Sequence, residues 1–293
     1  MIGDRVLITG GGGQLASDLE ELIKRDAEVS APAHAALDVT DDEAVLAAFE
    51  AFRPTVVVNC AAFHNVEVCE REEDQAFAVN ARAVKHLAQR CAERGARLVH
   101  LSTNYVFDGA VAEAYDESAR PNPRSVYAIS KLAGEHAALA YAPGALVIRT
   151  AGLYGLHGSA SKGGNFVTRM IDRARAQGSL SVVADQLLTP TSTADLAAGI
   201  VAAVDKGVTD ILHLTNAGAT SWHGFTEAIM ELAGLDVDVK PTATVRGPGA
   251  ADRPLNGVLR SRVADVPLLR PWRDALADYL DRAGLRALAV SKS

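Results

Sequence analysis

The chain is short of several things, and each shortage removes a class of protein. It has only 3 cysteines in 293 residues, Cys60, Cys69 and Cys91. None stands in Cys-x-x-Cys spacing, so they read as small core residues of a reducing compartment rather than a disulfide framework or a zinc site. The 8 histidines are dispersed and never form HxxxH or HxH, which leaves a metal site without support. No apolar run approaches the ~18 residues a bilayer span requires. The opening MIGDRVLITG reads as a strand and not as a signal peptide. A soluble, cytoplasmic protein without a membrane partner is therefore expected. Basic residues are outnumbered 29 to 36, for a net charge of -7, and they are not clustered, so nucleic acid is not an expected partner.

What is present is apolar material, 48% of the chain, enough for one large domain or one and a half. The first half alternates β-branched runs with Ala/Leu-rich segments of helical period. Strands are expected at 5–10, 27–32, 55–62, 96–103 and 145–150, and helices at 14–26, after the Asp/Thr pair of LDVTDDEAV, and from about 74 to 93. Continuous apolar strands between helices predict an α/β fold, a doubly wound parallel sheet of the Rossmann type. Its ligands should lie beyond the carboxyl ends of the strands. Residues 1–150 would form a dinucleotide-binding domain. Residues 151–293 would be mainly a smaller substrate lobe, with about 192–216 returning to the sheet through a strand at 210–216; the last residues, AVSKS, should fray.

The first strand runs into Gly10-Gly11-Gly12-Gly13-Gln14-Leu15-Ala16. Gly10 and Gly13 suit a tight turn whose backbone approaches a pyrophosphate, with the helix N-terminus at Gln14 and Leu15 supplying N–H groups. The second strand ends Ala31-Pro32-Ala33-His34, without the carboxylate that usually bonds a ribose 2′-hydroxyl. NADPH is therefore expected to bind at least as well as NADH, with His34 or Arg25 tolerating the 2′-phosphate. His34 reads equally as a surface residue. Asp38 and Val39 could line the adenine, and Asp38 could instead cap the next helix. Ala61, Ala62 and Phe63, past the third strand, should border the nicotinamide, and the loop after Thr150 should cover it.

Tyr127 precedes Lys131 by one helical turn, so the two share a helix face. A free phenol has a pKa near ~10, and a neighbouring ammonium should draw it down towards a working proton-transfer range. Thr103 ends the fourth strand. These three groups suit hydride transfer at a carbon bearing oxygen: Tyr127 moves the proton, Lys131 tunes it and holds ribose hydroxyls, and Thr103 orients the oxygen.

With these residues in place, the sequence resembles the extended short-chain dehydrogenase/reductases, and within them the dTDP-4-dehydrorhamnose reductase family. The likeness runs through GGGGQLA, LDVTD (37–41), VVNCAAF (57–63), LSTNYVFDG (101–109), VYAISKLAGE (126–135) and IRTAGLYG (148–155). It continues in GNF (164–166), VVADQLLTPTSTADLA (182–197), HLTNAGATSWHGF (213–225) and ADRPLNGVLRS (251–261). The resemblance implies a nicotinamide cofactor, a nucleotide-sugar substrate reduced at its 4-keto group, and Thr103, Tyr127 and Lys131 as the catalytic set. Trp222, His223, Arg253 and Asn256 would shape the substrate side, with Arg253 a phosphate contact; Trp222 reads equally as core. Three positions depart from the family. Asn104 replaces its usual aspartate, Gly152 its tryptophan, and Leu187-Leu188 an aromatic–Gly pair. Loss of the indole at Gly152 would open volume against the sugar, with Leu188 restoring apolar bulk. Asn104 and Tyr105 lack the acid–base pair of the related dehydratases, so dehydration is not expected. Another nucleotide-sugar ketoreductase, an epimerase or a non-catalytic NADP-binding regulatory subunit are the rival readings, and a homodimer is compatible with all of them.

Overall fold

A computed structural model describes residues 2–157, 164–245, 247, 250–264, 266 and 268–286. The chain begins β1 (Arg5–Thr9), α1 (Gln14–Ile23), β2 (Glu28–Ser30), α2 (Asp42–Phe52), β3 (Val56–Asn59), α3 (Val66–Cys69), α4 (Glu73–Phe77), α5 (Ala83–Arg94), β4 (Arg97–Thr103), α6 (Val126–Tyr141) and β5 (Leu146–Thr150). It continues β6 (Leu153–Tyr154), α7 (Phe166–Gln177), β7 (Ser179–Val183), β8 (Leu187–Leu188), β9 (Thr191–Ser192), α8 (Thr193–Asp205), β10 (Asp210–His213), β11 (Thr220–Ser221), α9 (Trp222–Ala233), β12 (Asp238–Thr242) and α10 (Trp272–Arg282).

Six strands form one sheet in the order β10-β5-β4-β3-β1-β2, and every pairing in it is parallel. The chain leaves β1 towards β2 and then crosses back to β3, so the order reverses between β1 and β3. In a doubly wound sheet that reversal opens a crevice at the carboxyl edge. Each face is covered by helices because the strands are apolar on both sides. Leu19, Ile200 and Ala203 of α1 and α8 bury one face with Val6, Ile8 and Val58. Phe49, Leu87 and Ala138 of α2, α5 and α6 bury the other with Leu7, Val57 and Val147. A third cluster, with Tyr154, Ile171, Phe225, Ile229 and Leu276, sits outside the sheet and holds α7, α9 and α10 together.

Three local features differ from the periodicity reading. Helix α2 is capped by Asp41, whose side chain accepts from the backbone of Glu43 and Ala44. Asp38, the other cap candidate, accepts instead from the backbone and hydroxyl of Thr40 at 2.9 and 2.7 Å. The helix expected over 74–93 runs unbroken from Glu73 to Arg94, but Ala78–Arg82 is a π turn between α4 and α5. A single π turn is too short to stand out as a change of period in the sequence. The strand expected at 55–62 ends at Asn59, because Asn59 turns its side chain back to accept from the Ala61 N–H at 3.2 Å. The terminal AVSKS and residues 158–163 of the loop expected to cover the cofactor lie outside the described residues. Among the described residues no helix is long and apolar enough to cross a membrane.

Candidate active site

The glycine turn joins β1 to α1 at the crevice. Gly10 and Gly12 have φ of +75° and +77°, a region that glycine occupies without strain. A methyl group on Gly10 would meet the Ala61 nitrogen at 2.9 Å, and one on Gly11 would meet the Ala31 oxygen at 2.0 Å. Glycine here lets three strand ends converge. Gly13 caps α1 without any side-chain bond, and the first turn of α1 holds no acidic residue. The N–H groups at that end are thus unopposed by a carboxylate, in contrast to α2 with Asp41, Asp42 and Glu43. A buried acceptor, Gln14 Oε1, has no hydrogen-bond partner in the cradle. An uncapped helix end, a methyl-free turn and an unpartnered polar atom fit a dinucleotide pyrophosphate. Around it, Leu15 is buried under the turn, Val39 packs into the core and His34 is exposed. Asp38 is held by Thr40 below its usual carboxylate range.

At the far wall of the crevice stand β4 and α6. Ser125 caps α6 by accepting from the Ala128 N–H at 3.3 Å, which starts the helix so that Tyr127, Lys131 and Glu135 fall on one face at intervals of four. Glu135 fixes that face against the sheet. Its carboxylate accepts from Arg149 Nε at 2.9 Å and Nη2 at 2.6 Å, and from the Ser102 hydroxyl. The Arg149 guanidinium also lies over the Phe107 ring, 5.2 Å from its centroid. The ion pair is almost fully buried; such pairs add little net stability but fix geometry, since losing one partner strands the other.

Tyr127 is half-buried and meets the Tyr105 ring edge-on with centroids 5.8 Å apart. Burial pushes its phenol well above the ordinary value, and the neighbouring Thr103 hydroxyl opposes that only in part. The expected lowering by Lys131 is not what this geometry shows. The Lys131 ammonium donates to the Leu101 carbonyl at 2.6 Å and faces His100 Nε2 at 3.4 Å. Burial brings Lys131 itself down to about 8, against the pull of Glu135 and Cys60. Thr103 Oγ1 accepts from the Tyr105 N–H at 3.2 Å and donates to Asn104 Oδ1 at 3.4 Å.

The sequence-expected substrate residues divide. Arg253 comes close to the Tyr105 phenol and is paired with Glu67 of α3. Asn104 is buried and donates to the Gly257 carbonyl at 3.1 Å, anchoring the segment that carries Arg253. Asn256 is spent structurally: its amide donates to Val111 and Glu113 carbonyls, both at 2.8 Å, and its oxygen accepts from Val258 N at 3.1 Å. His223 bonds the Val239 carbonyl at 2.8 Å, and Trp222 packs on Phe166 with centroids 4.5 Å apart; both belong to the small-lobe cluster. Gly152 opens no volume. Its φ is +56°, and a methyl there would meet Leu188 Cδ1 at 2.7 Å, so Leu188 already fills the space. Ala61 and Ala62 line the strand end, and Phe63 is gripped by Asn80, which accepts from its N–H and donates to its carbonyl, both at 2.9 Å.

The sequence reading passed over Asn59, Asn80, His100, Glu135 and Arg149. Glu135 and Arg149 were detectable as charged residues at apolar-face positions of a helix and a strand; the buried Asn and His carry no periodic signal. Among the described residues, Asp18, Glu21 and His157 bring their ligand atoms within 4.8 Å of one another. Asp18 already accepts there from the Thr193 hydroxyl.

Residues 4–285 match the family model described as the RmlD substrate binding domain. A dTDP-4-dehydrorhamnose reductase of Mycobacterium tuberculosis is 40% identical over 287 residues, covering 94% of this chain and 92% of the relative. A dTDP-4-keto-6-deoxy-D-glucose reductase of Streptomyces niveus is 39% identical, covering 93% and 95%. The crystal structure of a dTDP-4-dehydrorhamnose reductase from Bacillus anthracis in complex with NADP superposes with a TM-score of 0.90 at 32% identity, over 96% of this chain and 99% of that one. This chain therefore belongs to the RmlD family, the family of the dTDP-4-dehydrorhamnose reductases.

Proposed function

We propose that the chain reduces the 4-keto group of a nucleotide-linked deoxysugar, with dTDP-4-dehydrorhamnose as substrate and dTDP-rhamnose as product. The observation that carries the reading is the meeting of α6 with the carboxyl end of β4, where the Tyr127 ring lies against Tyr105 with centroids 5.8 Å apart and the Lys131 ammonium donates to the Leu101 carbonyl, together with the glycine-capped N-terminus of α1. The names of the relatives from Mycobacterium tuberculosis and Streptomyces niveus support it. Gly10, Gly13, Gln14 and Leu15 would hold the pyrophosphate of the cofactor, and Ala61, Ala62 and Phe63 would border its nicotinamide. NADPH is the expected cofactor, with NADH accepted, because no carboxylate follows Ser30 at the end of β2; the NADP-bound relative supports this. Residues 1–150 would serve the cofactor and 151–293 mainly the sugar nucleotide, with 192–216 rejoining the sheet, in a cytoplasmic enzyme.

Carbonyl reduction needs a hydride, which the reduced nicotinamide supplies when bound, and a proton, which the chain must supply. Tyr127 delivers that proton to the C4 oxygen. Burial keeps its phenol protonated at neutral pH, the state a general acid must occupy before turnover. Thr103 would orient the developing oxygen, while Tyr105 packs the phenol ring from its edge. The test is consumption of reduced nicotinamide absorbance by the purified protein on adding dTDP-4-dehydrorhamnose. No consumption with that compound or with dTDP-4-keto-6-deoxy-D-glucose would sink the reading.

A further inference from the structure

Two histidines lie buried in the sheet, and their surroundings treat them oppositely. His213 Nδ1 faces the carbonyls of Tyr115 and Arg260, each at 3.1 Å, while its Nε2 faces Arg149 Nη1 at 3.4 Å. Carbonyls accept and a guanidinium donates, so the neutral Nδ1–H tautomer satisfies every contact. His100 is the reverse. Its Nδ1 lies 3.1 Å from Asn59 Nδ2. The Asn59 amide cannot be flipped, because its Oδ1 accepts from the Ala61 N–H at 3.2 Å and the Thr9 hydroxyl at 2.7 Å. Nδ2 therefore donates, His100 Nδ1 is bare, and the proton sits on Nε2.

That N–H points at Lys131 Nζ, 3.4 Å away. An ammonium has donors only, so two donors meet unless Lys131 offers a lone pair. Thr9, Asn59, His100 and Lys131 are all at most 2% exposed, so water cannot readily relieve the conflict.

We propose that Asn59 and His100 are positioning residues that present an N–H to the Lys131 side chain, favouring its neutral amine over its ammonium and so setting the charge of the catalytic lysine from within the sheet. Other groups around Lys131 act on it too. Glu135 and Tyr127 lie one turn away on its own helix, and Cys60 stands past β3. Glu135 is occupied by Arg149 and Ser102, and Cys60 is held as a thiol by burial, so neither cancels the contact from β4. The low value of Lys131, driven first by burial, agrees in direction. Lys131 then works as a group that changes charge near neutral pH, where a fixed cation would not.

The inference rests on the ketoreductase reading only for its kinetic arm. Its first test needs no turnover: long-range 1H–15N spectra of the full chain with 15N-labelled histidine, His100 being identified by its proximity to Leu101 and Gly134. The expected result is a bare Nδ1 and a protonated Nε2 throughout about pH 6 to 9. An Nδ1–H tautomer or an imidazolium in that range overturns the proposal. The second test is His100→Gln, whose amide can turn its carbonyl towards Lys131 without changing net charge. The alkaline limb of kcat/KM should move up by about one pH unit with little change in substrate KM. A merely structural role would lower kcat and leave the limb in place, and that outcome also overturns it.

Discussion

Alanine at position 134 would set a methyl carbon 2.1 Å from the carbonyl oxygen of Asn80 and 3.2 Å from His100 Nε2. Carbon and oxygen tolerate an approach of about 3.3 Å, so α6 and the π turn must part by roughly an ångström. The π turn yields poorly, because the Asn80 side chain is bonded to both backbone groups of Phe63 and to the Ser130 hydroxyl. Two opposed terms decide the sign. Replacing glycine by alanine inside a helix favours the helix by about 1 kcal/mol, whereas forcing an extra carbon into a packed interior costs about 1–3 kcal/mol. With backbone as the obstacle the steric term falls at its upper end, for a net loss of about 2 kcal/mol. The functional effect is larger. Helix α6 carries both Tyr127 and Lys131, and a displacement of about 1 Å at reacting groups lowers turnover on the order of 10²-fold. Urea unfolding gives the first quantity and steady-state kcat the second. Cofactor titration should show a smaller change, since the glycine turn lies on α1. Wild-type stability together with wild-type kcat in Gly134→Ala would refute the close packing and its role in placing the acid.

Tyr127→Phe should leave cofactor affinity within several-fold while kcat falls by roughly 10²–10⁴; near-full turnover would remove Tyr127 from the acid role. The Lys131 ammonium, held at about 8, is protonated below that pH and neutral above it. If the charged form supports turnover, kcat/KM should decline as pH rises through about 8, and a profile flat to well above that value would contradict it. Ala33→Asp, beside Gly11 at the end of β2, should shift preference from NADPH towards NADH by repelling the 2′-phosphate, and unchanged NADPH kinetics would place the ribose elsewhere. Gly152→Trp should destabilise the protein by more than 1 kcal/mol, measured by thermal unfolding, without raising turnover; a stable, faster enzyme would show that Leu188 gives way.

The sheet was legible because its strands are continuous apolar runs, and a run such as Val56–Asn59, buried at every position, can only be an interior parallel strand. The glycine turn was legible because the backbone geometry at Gly10 and Gly12 admits few other residues. The π turn was not, because it adds one residue within a single turn, too local a change to show in the apolar period. Asn59, Asn80 and His100 were hidden for a related reason. Each is a polar residue whose importance comes from partners far away in sequence, 41 positions for Asn59 with His100 and 50 for Asn80 with Ser130, and local pattern carries no such information.

The site residues show the same division, and Gly152 shows it most sharply. From the sequence alone, a glycine in place of a bulky aromatic reads as vacated space. In the structure the departure at 152 and the one at 188 are a single event. The left-handed backbone at Gly152 brings Leu188 to 2.7 Å from where a Cβ would stand, and Leu188 is buried there. A side chain at 152 would collide with Leu188 where it now stands, and Leu188 in turn packs apolar bulk against Gly152, a smaller filling than an indole. Asn104 and Gly257 form a second such pair, since a methyl on Gly257 would meet Asn104 Nδ2 at 2.2 Å and the amide donates to the Gly257 carbonyl. An aspartate at 104 could not make that bond. These departures are met by local packing and anchoring, and the proposed proton-handling residues Thr103 and Tyr127 are themselves unaltered. That is the physical ground for expecting the ordinary 4-keto substrate to remain a substrate.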